Sequence, residues 1–142
     1  MISRYRTTVL AALIAMGAAA ALGCSNDTIP GPGPKAPDFT VTVTFPSGSN
    51  LTPVYSWGAG NAASLRVIPT AAFSDIAWQI VTENGAGDPV NNIASPVTHG
   101  TTPTGATVSV ANELVLTPST NYQVTVAKAN GEAGFVEFTC CN

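Results

Sequence analysis

The sequence predicts an all-β chain, a single β-sandwich of about seven short strands behind an apolar leader and a Pro/Gly linker. Three observations carry this. From Phe39 onward, apolar and polar residues alternate with period two in short segments; Gly-, Asn- and Pro-rich clusters separate them; and no capped 3.6-residue apolar stripe occurs between them. The 142 residues allow about one domain. Charged residues make up 9%, against about 25% in an average soluble protein, but a hydrophobic fraction of 45% argues against disorder.

Residues 1–23 have the layout of an export signal. Arg4 and Arg6 precede an apolar run of roughly 14 residues, Val9 to Leu22, and Gly23 closes it. That run is short for a permanent span, since a bilayer core needs about 20 helical residues. Ala21-Leu22-Gly23-Cys24 then resembles the lipobox of bacterial lipoprotein precursors, although Ala21 stands where the family more often has leucine. The resemblance implies a diacylglycerol on the Cys24 sulfur and cleavage before that residue. Ser25 follows, which in Gram-negative lipoproteins does not signal inner-membrane retention. The resemblance therefore implies an outer-membrane anchor, facing the periplasm or displayed outside. Either compartment is oxidising.

Cys24 opens a linker, 24–38, before the domain expected over 39–142. Ser25 to Pro37 packs four of the eleven prolines into thirteen residues, alternating with glycine, so neither helix nor ladder can form. At roughly 3.1 Å per residue such a tether spans up to about 40 Å.

Within the domain, Phe39, Val41, Val43 and Phe45 fall on one face of a strand and Thr40, Thr42 and Thr44 on the other. Further strands are expected at Val54–Trp57, Ser64–Ile68, Ala77–Thr82, Val97–His99, Thr107–Val110, Tyr122–Lys128 and Phe135–Thr139. Turn clusters lie between them, among them Asn84-Gly85, Gly87-Asp88-Pro89, Gly100 to Gly105 and Asn130-Gly131.

The last hairpin can be tested for register. A two-residue turn at Asn130-Gly131 would set Val124 opposite Glu137 and bury the carboxylate, which costs several kcal/mol. A three-residue loop over 130–132 instead pairs Val126 with Val136, Val124 with Phe138 and Tyr122 with Cys140. Each apolar side chain buried there contributes about 1.5–3 kcal/mol, so the longer loop is expected, with Cys140 inward and Cys141 outward.

Leu116-Thr-Pro118-Ser-Thr-Asn-Tyr122-Gln-Val-Thr-Val126 resembles the L-x-P-x-T-x-Y-x-V-x-V run of fibronectin type III domains. The resemblance implies that Leu116 and Pro118 close a corner between strands. It also implies that the Tyr122 hydroxyl returns to the backbone as a tyrosine corner. Trp57 sits where that family carries a strand-B core tryptophan, and Leu65-Arg66-Val67 would be strand C, with Leu65 in place of a more usual tyrosine.

Composition excludes several chemistries. Without residues 1–23, three cations (Lys35, Arg66, Lys128) face eight acids, a net charge of −5, so a run of phosphates could not be neutralised and nucleic-acid binding is not expected. No Cys/His spacing suits zinc, and no cofactor motif occurs. The lone His99, beside a turn, would need a serine and an acid such as Asp75 or Asp88 to form a triad, and no Gly-x-Ser-x-Gly elbow exists; it reads as a surface or edge residue. The carboxylates are scattered singly, so no enzyme is expected.

Cys140-Cys141 leaves three readings: a strained vicinal disulfide acting as a switch, an intermolecular bridge through Cys141, or core filling by Cys140 beside a terminal thiol. Trp78 alternates with Ile76 and Ile80, and Trp57 shares a face with Tyr55, so both read as core. Taken together, these features predict a lipid-anchored, non-catalytic envelope module that binds an envelope or extracellular protein. Its candidate loops are Gly58–Ala63, Thr82–Asn92 and Gly100–Gly105. A glycan- or peptidoglycan-binding module is the alternative, and exposure of either tryptophan would favour it.

Overall fold

The structure is a computed structural model that describes residues 35–47, 51–58 and 60–140, all within one compact unit. The leader, Cys24, the linker up to residue 34 and Cys141 lie outside the described residues. The described chain is all β, with eight strands and no helix: β1 (Val41–Thr44), β2 (Val54–Trp57), β3 (Ser64–Pro69), β4 (Trp78–Val81), β5 (Val97–Thr98), β6 (Thr107–Ala111), β7 (Asn121–Ala127) and β8 (Ala133–Thr139).

They form two antiparallel sheets, one ordered β1-β2-β5 and the other β6-β4-β3-β7-β8, an arrangement consistent with a β-sandwich. The core follows from the alternation. Val41, Tyr55, Trp57 and Val97 of the smaller sheet meet Leu65, Val67, Trp78, Ile80, Tyr122, Val124 and Val126 of the larger. Thr40, Thr42 and Thr44 face solvent on the opposite side of β1.

The strand directions give the molecule two ends. Residues 35–40 lead into β1 at the leading end, beside residues 58 and 60–63 of the β2–β3 connection, the β4–β5 connection (82–96) and the β7–β8 turn. At the far end lie residues 45–47 and 51–53, the segments 70–77 and 112–120 and the end of β8.

The register of the last hairpin differs from the expectation. Tyr122 faces Phe138, Val124 faces Val136 and Val126 faces Gly134, and the three-residue loop is Ala129–Gly131. The face assignment survives, because the shift is by two residues: Cys140 is buried and Glu137 is exposed. The reason lies in Gly131, whose φ of 89° supplies the left-handed residue that such a loop needs at its last position. A loop over 130–132 would put Glu132 there. The closing bond runs from Lys128 N–H to the Glu132 carbonyl at 2.9 Å, and Lys128 Nζ holds the Glu132 carboxylate at 2.7 Å.

β6 is an edge strand with an irregularity. Gln79 pairs with Val110 and the next residue, Ile80, with Val108, so Ser109 is an extra residue in β6.

Candidate functional site

His99 is the largest departure from the sequence expectation. It is 1% exposed, not a surface or edge residue. β5 explains why: Val97 and His99 share the inward face, and the ladder continues for one bond, from His99 N–H to the Pro53 carbonyl at 2.8 Å. The ring's Nε2 lies 2.8 Å from the Glu113 carbonyl and its Nδ1 2.9 Å from the Tyr55 hydroxyl. A carbonyl only accepts, so Nε2 carries the proton and Nδ1 accepts from Tyr55. The imidazole thus spans the sandwich from β2 to the segment after β6. The Trp78 ring stands 4.9 Å away, and its Nε1 is the buried side-chain nitrogen without a hydrogen-bond partner among the described residues. Burial holds the His99 pKa below its ordinary 6.5, against the opposing pull of the Glu113 carbonyl bond and carboxylate.

Glu113 extends the network. Its carboxylate accepts from the Tyr122 hydroxyl at 2.7 Å, and that hydroxyl accepts from Thr117 N–H at 3.0 Å. Burial, then the Glu113 bond, raises the Tyr122 pKa, and burial does the same for Tyr55. Leu116 is buried against this corner, with its N–H on the Leu51 carbonyl at 3.0 Å, while Pro118 is exposed. Cys140 is buried in the core, and its N–H bonds the Thr120 carbonyl at 2.9 Å. Asp75 and Asp88 do not join His99. Asp75 lies in the 70–77 segment at the far end, and Asp88 sits in a turn of the 82–96 connection that the Asn84 side chain caps, accepting from Asp88 N–H and donating to its carboxylate.

The network ties down the far end, where three large apolar side chains project into solvent: Phe73 at 60%, Leu114 at 52% and Val115 at 55% exposure. Their two loops are braced together. Glu113 N–H bonds the Ala77 carbonyl and the Asn112 side-chain amide bonds the Ile76 carbonyl, each at 2.8 Å. Gly100, at φ 77°, lets the Leu114 carbonyl come so close that an added Cβ would sit 2.6 Å from it. A shallow depression of about 210 Å³ at the same end is lined by Thr70, Asn121, Glu137, Phe138 and Thr139. It holds one carboxylate, and its Thr139 hydroxyl is spent on Asn121.

Of the three loops expected to bind, the described residues of Gly58–Ala63 (58 and 60–63) and Thr82–Asn92 lie at the leading end, and the 100–105 segment runs from the far end back towards the start of β6. The far-end loops have no signature in the sequence, because isolated apolar residues in turns carry no periodic signal. Both tryptophans are buried, and Trp57 Nε1 donates to the Gly60 carbonyl at 2.7 Å. Among the described residues, no three His, Cys, Asp or Glu side chains gather in a metal-ligating group.

The fold and this end define an all-β protein of two packed antiparallel sheets with a braced, apolar-tipped end. No known protein family, curated protein or solved structure matches the chain.

Proposed function

We propose that the protein is a lipid-anchored component of a bacterial envelope, held in the outer membrane through Cys24, that presents a non-catalytic, fibronectin type III-like module to a protein partner. One asymmetry carries the reading. The chain joins β1 at the leading end, whereas Phe73, Leu114 and Val115 are exposed together at the far end. An anchored chain gains from a binding surface turned away from its tether, and apolar residues on braced loops are the usual cores of protein contacts.

The strand order supports the finer fold assignment: β1-β2-β5 and β3-β7-β8 correspond to the A-B-E and C-F-G orders of immunoglobulin-like sandwiches. The bond from Thr117 N–H to the Tyr122 hydroxyl is the contact expected of a tyrosine corner. β6 is additional, a strand between the E and F positions that extends the larger sheet beyond β4. Burial of Trp57 and Trp78 weighs against the alternative, a glycan- or peptidoglycan-binding module, because it removes the tryptophan surfaces on which sugars would stack.

The test places a photo-reactive residue at position 114, and separately at position 86 of the leading end, in the full chain in intact cells. A protein adduct from 114 and none from 86 is expected. A clickable fatty acid should label the chain, and Cys24→Ala should abolish that label. Equal adducts from both ends, or capture of glycan alone, would overturn the module; label that persists in the Cys24 variant would overturn the anchor.

A further inference from the structure

We propose that His99 is a proton-sensitive pin: its protonation releases the 112–118 segment at the far end while the strands of the sandwich stay paired. The geometry makes the neutral ring self-consistent. Nε2–H meets a carbonyl that can only accept, and Nδ1 receives the Tyr55 hydroxyl proton. A second ring proton, on Nδ1, would face the same hydroxyl, whose own hydrogen then loses its acceptor inside the core. The buried charge would also stand beside the Trp78 indole, whose unpartnered N–H offers another donor and no acceptor.

The groups packed around the ring from each element set the balance. β2 contributes the neutral Tyr55 and β4 the Trp78 ring, and through Glu113 the network reaches the Tyr122 hydroxyl of β7. Beyond β8, the buried Cys140 thiol acts on Tyr55, the ring's own hydrogen-bond partner. The Glu113 carboxylate and the Trp78 face favour the cation, and burial outweighs them, consistent with the lowered pKa. The described cations do not enter the balance: Lys35 and Lys128 are in ion pairs at the leading end, and Arg66 is exposed on the outer face of β3.

Relief is available locally. Swinging residues 112–118 outward wets the ring, exposes Leu116 and breaks the bonds of Glu113 N–H to Ala77, the Asn112 amide to Ile76, Leu116 N–H to Leu51, Thr117 N–H to Tyr122, and Glu113 to His99 and Tyr122, but no rung of either sheet. Leu114 and Val115 lie in that segment, so acidification would rearrange the exposed apolar surface. The inference stands whether or not that surface binds a partner.

The chain has one histidine, so its ring signals are unambiguous. With the full chain in detergent, long-range proton–nitrogen NMR should show the Nε2–H tautomer at neutral pH and charging only below the ordinary pH range of a histidine. Hydrogen exchange, corrected for intrinsic rates, should show protection in 112–118 falling about tenfold or more between pH 7.5 and 5, an opening shift of about 1.4 kcal/mol. Residues 64–68 should keep theirs. In His99→Gln, which keeps a donor and an acceptor without titrating, the loss in 112–118 should vanish. Equal loss in 64–68, or loss that persists in the glutamine variant, would overturn the pin. Should that variant not fold, the parent chain alone decides: ring charging without loss of protection in 112–118 would overturn it as well.

Discussion

The two ends of the sandwich are finished by different means. At the leading end, Lys35 meets Asp38 at 2.8 Å in an exposed pair and Lys128 meets Glu132 at 2.7 Å in a part-buried one, and both carboxylates stay within reach of water and salt. At the far end the closing bonds run inward, from the part-buried Thr117–Tyr122–Glu113 corner through the Glu113 carbonyl to His99 and on to the buried bond between His99 and Tyr55. An exposed pair can be lost with little consequence, because water replaces either partner. A buried bond cannot, because the partner left behind has nowhere to turn. The contrast explains how apolar loop tips can be held out in solvent at one end: their backbone is tied to the core beneath them.

Four substitutions and a pH series test that contrast. Gly100→Ala should be the most damaging, at about 2–4 kcal/mol by chemical denaturation, since it adds left-handed strain to a clash with the Leu114 carbonyl. Tyr122→Phe should cost about 1–3 kcal/mol, because Thr117 N–H and the Glu113 carboxylate lose their shared hydroxyl; a change below the error of the melt would mean that the corner is not a structural tie.

The pH series comes next. His99 has a lowered pKa in the fold, so the unfolded chain binds its proton first, and stability is complete above about pH 6.5 and lost as pH falls below it. The slope is at most about 1.4 kcal/mol per pH unit for one proton. Asp38 and Glu132, held low chiefly by Lys35 and Lys128, lose their contributions only below the ordinary values of 3.8 and 4.5. An upper transition below pH 6.5 that survives in His99→Gln would contradict the assignment to the far end.

Gly131→Ala at the leading end should cost about 1 kcal/mol, from left-handed strain alone, since no atom lies within 4 Å of the added methyl. Glu132→Gln should leave the melting temperature unchanged within error at moderate salt. If it cost as much as Tyr122→Phe, the difference between the ends would disappear.

The strands were legible because period-two alternation is local: Tyr55 with Trp57 and the Thr40–Thr44 series each declare a face within a few residues. Sheet membership was less so. The alternation of Thr107–Ala111 marks a strand, but pairing with β4 depends on a partner some thirty residues away. The last hairpin missed its pairing by two residues, because burial fixes the face and the left-handed position of Gly131 fixes the loop. His99 was misread as surface although the segment Val97-Thr98-His99 already put it on the face of Val97. The missing information was its partners, Tyr55 and Glu113, which lie 44 and 14 residues away. Buried polar groups are specified by long-range geometry, and a single-sequence pattern does not carry it.

The extra residue at Ser109 has a consequence for the company the molecule can keep. β6 is a rim strand of five uncharged residues without proline, three of them the β-favouring Thr107, Val108 and Val110, a composition that lets identical chains zip together rim to rim. The bulge breaks its repeat in the middle, so a neighbouring copy meets a kinked rail with no continuous row of donors and acceptors to read. Crowded copies can therefore stand side by side without fusing their sheets, and the chain achieves this without placing a charge on that rim.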